Sequence, residues 1–328
     1  MDSLIFSLNA VAPIILLVAL GYMLKKIGWM TVDFAKKTHK LVFHVFLPAM
    51  LFLNVYKIEH LGSMDPTYII YVVVVLLLVF LLGLPLVLAV ARKPAYRGAL
   101  MQAIFRSNYA LIGIPLASSL FGEEGVTVAT LLSAVSVPAL NVLAVIALTI
   151  FRTDGGKVNA KSILLGIVQN PLIVSVLAGL CTLGIRALFV QGGISFRLSD
   201  IEPLYKALSY LSNLATPLAL LALGAQFEFS AVAALRREIL FGTLMRTVLV
   251  PLFAIGGAWL LFADRFGGAH FAAFIAMFAT PVSISSVPMA QEMKADATLA
   301  GQLVVWSTLT SALTIFLFTF FLRLGGIF

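Results

Sequence analysis

The sequence predicts an all-α polytopic membrane protein whose ten transmembrane helices form two inverted repeats of five. Its 328 residues are 61% hydrophobic and only 11% charged, with a mean hydropathy of +1.08, whereas soluble domains average about 25% charged residues. Ten apolar runs with short connections fill the chain. Two of these runs carry a similar interruption, which indicates an internal repeat.

The apolar runs give the predicted spans, because a membrane-spanning helix needs about 20 mainly apolar residues. The first five cover about 4–24, 40–56, 67–91, 98–120 and 126–150, and the second five about 162–185, 205–226, 239–262, 269–291 and 297–321. The predicted repeats therefore occupy 1–152 and 162–328, with a short cytoplasmic linker at 153–161. Basic residues follow the first run rather than precede it, so we expect an uncleaved helix and not a signal peptide.

The distribution of Lys and Arg predicts the orientation of the spans. Of the 22 Lys and Arg residues, 14 fall in loops after the odd-numbered spans, 6 fall on the opposite side, and Arg106 and Arg246 lie inside spans. Both termini are therefore expected outside the cytoplasm. Because the basic residues sit in short loops between spans, the net charge of +8 does not indicate nucleic-acid binding.

The interruption recurs in spans 4 and 9. Residues 104–122 align without a gap with residues 277–295, which places Asn108 on Pro281 and Pro115 on Pro288. An odd number of spans per repeat inverts the second copy in the membrane, and inverted repeats with discontinuous helices are typical of secondary transporters. The alternative is that prolines merely recur in membrane helices, where they are tolerated.

The predicted breaks lie near the middle of the bilayer. Asn108 is about 16 Å from a helix start near Arg97 at 1.5 Å per residue, in a hydrocarbon core about 30 Å thick. Proline lacks an N–H and clashes with the carbonyl four residues back, so Pro281 should free the carbonyl of Met277, and Pro288 that of Ile284. Hydroxyl and amide side chains flank these breaks, and half-helix N-termini there favour an anion.

The charge inventory also favours an anion. No Asp or Glu lies in the middle of a predicted span, while Arg106 and Arg246 do. An intramembrane ionisable group is by default a functional candidate, although an arginine can also extend towards the interface. Asn108, at the break itself, is the strongest single candidate because an amide can hold a carboxylate and satisfy backbone groups as well.

We expect no catalytic residues, metal site or cofactor. The chain has one cysteine, Cys181, and no HExxH or GxSxG motif, so an intramembrane enzyme lacks its nucleophile, base or paired carboxylates. A non-transporting membrane sensor remains an alternative, but no appended soluble domain is apparent. A channel fits less well, because a site at crossed helices suits alternating access better than a continuous pore.

The segment 106–122, RSNYALIGIPLASSLFG, resembles the auxin efflux carrier family, which includes bacterial permeases described as malonate or malate transporters. Asn108, Gly113 and Pro115 keep the pattern of the plant carriers, whereas Ser107 replaces a proline and Tyr109 a threonine. The segments 280–283 and 296–314 are similar to the family's helices 9 and 10. The short linker is similar to the bacterial members.

The resemblance implies a fold like that of bile-acid symporters and sodium/proton antiporters, with crossed helices 4 and 9 holding the substrate. Helices 1, 2, 6 and 7 would form a scaffold, often a homodimer, and helices 3–5 and 8–10 a mobile transport domain. We therefore expect a secondary transporter of a small organic anion, such as malonate or malate, surrounded by lipid in a bacterial inner membrane. A sodium-coupled bile-acid-type symporter is the main alternative. The predicted substrate-binding residues are Arg106, Ser107, Asn108, Tyr109, Gly113, Pro115, Thr280, Pro281, Ser283, Ser285 and Pro288.

Overall fold

The computed structural model describes residues 2–57, 66–152 and 160–327, so most of the predicted linker at 153–161 lies outside the described residues. The regular secondary structure of the described residues is helical, apart from one isolated antiparallel bridge. The helices are α1 (Asp2–Lys26), α2 (Val32–Tyr56), α3 (Pro66–Val90), α4 (Pro94–Phe105), α5 (Tyr109–Ile150), α6 (Ala160–Gln169), α7 (Pro171–Gln191), α8 (Glu202–Gln226), α9 (Phe229–Phe262), α10 (Gly268–Ala279), α11 (Ser286–Glu292) and α12 (Ala297–Leu324). Within these ranges, seven helices are long and apolar enough to cross a membrane, which is typical of a multi-pass membrane protein.

The predicted spans at 98–120 and 269–291 are both broken. α4 ends at Phe105 and α5 begins at Tyr109, while α10 ends at Ala279 and α11 begins at Ser286. The sequence predicted interruptions in these two stretches, and the structure confirms them. The predicted spans 4 and 5 are joined within α5 by a sharp kink at Phe121 and Gly122, where Gly122 has a φ of 58°.

A further interruption was not predicted. The apolar run at 162–185 is divided at Asn170, between α6 and α7. The Asn170 side chain accepts a hydrogen bond from the backbone N–H of Leu172 (3.0 Å), and Pro171 occupies the first helical position. Asparagine at the N-cap followed by proline is a helix-start pattern, and it overrides the continuity of the apolar run.

Several prolines follow a wide helical turn. A π-helical turn accommodates a residue that cannot donate its N–H and whose ring would clash with the preceding turn. The pairs are Val42–Phe46 before Pro48, Tyr109–Gly113 before Pro115, Met245–Leu249 before Pro251, and Ile275–Ala279 before Pro281. The prolines therefore set where the helices bend or end.

Two groups of helices pack in the bundle, and α1 of the first group also packs on α12 of the second. In the first, α1 and α2 pack on α8, and α2 also packs on α7. α1 and α8 approach closely at Gly21 and Gly224, where an added Cβ would collide with the backbone carbonyl of Leu221 or of Val18. In the second group, α10 packs on α5, and α12 packs on α9 and α4. The two broken regions belong to this second group and meet each other.

Candidate substrate-binding site

The two breaks pair through their backbones. The N–H of Asn108 donates to the carbonyl of Pro281 (2.8 Å), and the N–H of Ser283 donates to the carbonyl of Arg106 (3.1 Å), which forms the antiparallel bridge between Ser107 and Val282. Arg106 and Thr280 both have extended backbone torsions. These bonds satisfy backbone groups that a continuous helix would have paired internally, so the breaks can persist inside the bundle.

A cavity of about 450 Å³ lies beside this bridge, within the size range of small-molecule sites. Its polar and charged lining residues are Asn54, Lys57, Arg106, Ser107, Asn108, Tyr109, Asn141, Ser212, Asn213, Thr216, Ser283 and Ser285. α2 and α8 form one wall, and the two breaks with part of α5 form the other. The cavity therefore lies between the two groups of helices.

Arg106 lines the cavity and is almost fully buried, with 3% of its surface exposed. Its Nη1 donates to Oε1 of Gln102 (2.7 Å) and lies 2.6 Å from the sulfur of Met289, and its Nη2 donates to Oδ1 of Asn141 (2.9 Å). These partners are neutral, and within the described ranges no carboxylate forms a salt bridge with this guanidinium. A buried cation that lacks a counter-charge is costly, so this position favours a negatively charged ligand.

Asn108 also lines the cavity, with 7% exposure. Its backbone is held by Pro281, but its side-chain Nδ2 is buried and has no hydrogen-bond partner among the described residues. Buried polar groups in native proteins nearly always have partners. The amide is therefore available to a ligand oxygen or to an ordered water in the cavity.

Arg246 occupies the other side of the crossing and does not line the cavity. It is fully buried, and its guanidinium donates to the carbonyls of Thr280 (2.8 Å), Met277 (2.9 Å) and Phe278 (2.6 Å). The expectation that Pro281 frees the carbonyl of Met277 is therefore confirmed, and Arg246 satisfies it. Both arginines are buried inside the bundle.

The structure brings about half of the predicted site residues to the cavity. Arg106, Ser107, Asn108, Tyr109, Ser283 and Ser285 line it, whereas Gly113, Pro115, Thr280, Pro281 and Pro288 do not. Tyr109 donates its hydroxyl proton to the carbonyl of Ala129 (2.6 Å), so that its oxygen is fixed by α5. Oγ of Ser283 lies 2.8 Å from that of Ser285.

The other predicted residues have positions that their local chemistry explains. An added Cβ on Gly113 would lie 2.7 Å from the carbonyl oxygen of Ala276, so this glycine allows α5 to approach α10. Pro115 is exposed on α5, and Thr280 donates to the carbonyl of Ala276 (2.8 Å). Pro288 lies in the first turn of α11, and its predicted freed carbonyl, that of Ile284, instead accepts from Val287 (3.3 Å). That last expectation was wrong, because the N–H of Val287 takes the place of the N–H that Pro288 lacks.

Sequence reasoning missed the wall formed by α2 and α8. Asn54 and Lys57 lie on the same face of α2 as Leu47 and Met50, at helical spacing, and Ser212 lies on α8. Asn141 on α5 accepts a hydrogen bond from Arg106 and lines the cavity as well. Polar residues three apart within an apolar helix were the available sign of the α2 face.

The family of membrane transport proteins matches residues 6–319 of this chain. The chain belongs to this family. The resemblance to the auxin efflux carriers is thereby confirmed, and the protein is an integral, multi-pass membrane transporter.

The chain is similar to an uncharacterized transporter of Methanothermobacter thermautotrophicus, with 24% identity over 323 residues that cover 94% of this chain and 96% of that protein. It is also similar to the uncharacterized transporter MJ1031 of Methanocaldococcus jannaschii, with 26% identity over 224 residues that cover 66% of this chain and 68% of that protein.

Proposed function

We propose that this membrane transport protein carries a small organic anion, a carboxylate such as malonate or malate, by alternating access. The observation that carries the proposal is Arg106, a buried guanidinium that lines the cavity without a carboxylate partner among the described residues. Among the described residues, no Asp or Glu lines this cavity. A bound carboxylate would supply the missing counter-charge and pair with the free Nδ2 of Asn108.

The polar groups at the breaks suit an anion. Arg106, Asn108 and Ser283 lie there, and the facing wall contributes the apolar residues Leu47, Met50 and Leu51 together with the polar Asn54 and the basic Lys57. Charge-assisted hydrogen bonds are roughly twice as strong as neutral ones. The volume of about 450 Å³ accommodates a small organic acid together with ordered water.

We propose that transport moves one group of helices against the other. α1, α2, α6 with α7, and α8 would form the scaffold and the interface of a homodimer, and α3–α5 with α9–α12 would form the transport domain. We count ten spans in two inverted repeats, with both termini outside the cytoplasm of a bacterial inner membrane. In this arrangement Lys57, which lines the cavity, would lie towards the outer side. A carboxyl-terminal reporter that is active only in the cytoplasm would overturn this orientation.

The proposal is tested by flux of labelled malonate and malate in proteoliposomes. We expect uptake that saturates and is competed by other small carboxylates but not by amines of similar size. Protein-free liposomes and the Arg106→Gln variant are the controls. Binding without flux would favour a membrane sensor, and loss of uptake on replacing sodium with choline would favour a sodium-coupled symporter.

A further inference from the structure

The guanidinium of Arg246 sits in a shell of backbone carbonyls. Besides the carbonyls of Met277, Phe278 and Thr280, its Nη1 reaches the carbonyl of Ile104 (3.4 Å). Ile104 lies in the last turn of α4, and Met277 and Phe278 lie in the last turn of α10. One side chain from α9 therefore binds the carboxyl-terminal ends of both half-helices at the crossing.

These ends form a cation site by their own electrostatics. The last carbonyls of a helix have no intrahelical donor, and the helix dipole places partial negative charge there. At Met277 the carbonyl lacks its donor for an additional reason, because Pro281 has no N–H. In secondary transporters, carbonyls of unwound segments and half-helix ends of this kind coordinate the coupling cation.

We propose that Arg246 is a tethered cation that fills the cation site of the crossing, so that anion binding at Arg106 requires no free coupling ion. The part of this inference that concerns anion binding rests on the proposed function. The filling of the carbonyl shell by Arg246 does not, because it is a property of the fold. Within the described ranges, Arg246 has no carboxylate partner, and no cluster of His, Cys, Asp or Glu is suited to a metal ion. Its positive charge is therefore balanced by carbonyl dipoles and is carried with the transport domain in every step.

Chemical rescue tests the tethered cation without any substrate. Arg246→Ala should leave a carbonyl shell with the dimensions of a guanidinium group, so low-millimolar guanidinium chloride should raise the melting temperature of the detergent-purified variant by about 2 °C or more. Choline chloride at the same ionic strength should give no such rise. Arg237→Ala is the matched control, because Arg237 lies on the same helix but is exposed, and its melting temperature should not respond to guanidinium. Equal responses of the two variants would overturn the proposal.

The wild-type protein provides an arm that does not depend on the stability of a variant. Because the site is filled, replacing choline with sodium or potassium at constant ionic strength should leave the wild-type melting temperature unchanged. A rise specific to sodium would overturn the proposal. Arg246→Lys keeps a cation with three donors, and it should melt between the wild type and Arg246→Ala without a response to guanidinium.

The link to transport has a separate readout. The wild-type dissociation constant for malonate should be equal in sodium and choline, whereas Arg246→Ala should bind malonate more tightly when guanidinium is present. Sodium-dependent binding by the wild type would overturn the tethered-cation proposal. If the wild type binds no carboxylate at all, the proposed function fails, and the rescue of the melting temperature still decides the role of Arg246.

Discussion

Arg106 and Arg246 are both buried at the crossing of the broken helices, but they differ in what their guanidinium groups contact. Arg106 contacts side chains, namely the amide oxygens of Gln102 and Asn141 and the sulfur of Met289, and it lines the cavity. Arg246 contacts backbone carbonyls and lines no part of that cavity. Burial alone therefore does not distinguish an arginine that lines the cavity from one that binds backbone carbonyls.

The difference lies in how readily the partners can change. A thioether is a weak acceptor, and an amide side chain can rotate to another partner, so Arg106 can reorganise when an anion arrives. The carbonyls around Arg246 are fixed at helix ends and would be left unpaired and buried without it, at about 1–3 kcal/mol for each group. We therefore propose that Arg106 binds the ligand and that Arg246 stabilises the crossing.

Substitution by glutamine should separate the two arginines most strongly. Arg106→Gln should weaken binding of malonate by more than about a hundredfold, because the cationic partner of a carboxylate is lost, while the melting temperature changes little. Arg246→Gln should mainly lower the melting temperature. Titration calorimetry with malonate measures the affinity of each purified variant, and thermal unfolding measures its melting temperature. Unchanged affinity in Arg106→Gln would move the anion site elsewhere.

Asn108→Ala should have the next largest effect. Loss of one hydrogen bond to a carboxylate costs about 1.5–3 kcal/mol, or roughly tenfold to over a hundredfold in affinity. Stability should be nearly unaffected, because the Nδ2 that is removed has no partner among the described residues and the backbone bond to Pro281 remains. A dissociation constant equal to that of the wild type would place the ligand away from the bridge between the breaks.

Gly113→Ala tests the packing that brings the breaks together. Its Cβ would lie 2.7 Å from the carbonyl oxygen of Ala276 and 2.8 Å from the Tyr109 ring, so we expect a loss of stability of about 1–3 kcal/mol. Gly256→Ala in α9 is the control, since an added Cβ there meets nothing within 4 Å. Equal melting temperatures for the two variants would show that the crossing tolerates a wider helix separation.

The smallest effect is expected at the acidic residues near the ends of the spans. Single amide substitutions of Glu123, Glu124, Glu292 and Asp296 should leave substantial flux, because none of them lines the cavity. Asp296→Asn also keeps an oxygen that can accept from Leu299, as Oδ1 of Asp296 does now (2.7 Å). Complete loss of flux in a correctly inserted variant would indicate a titrating carboxylate in the transport cycle and would weaken the assignment of charge to the arginines.

The sequence by itself determined the features that depend on local chemistry. The apolar runs predicted a helical membrane protein, because their length matches the bilayer core. Pro281 and the residues around Asn108 predicted the two interruptions, since a missing N–H acts on the carbonyl four residues back wherever the helix lies. Helical rise also predicts the depth of Arg106 and Asn108 in the bilayer, which stays a prediction.

Only the tertiary structure decided which residues share the cavity and which arginine faces it. The contacts of Arg246 span 31 to 142 residues along the chain, and the bridge joins Ser107 to Val282. Asn54 and Ser212 enter the same cavity from α2 and α8, although nothing in either local segment specifies the other. Such partners are selected by how helices pack in three dimensions, and helical periodicity defines the faces of one helix but not the neighbour that each face meets.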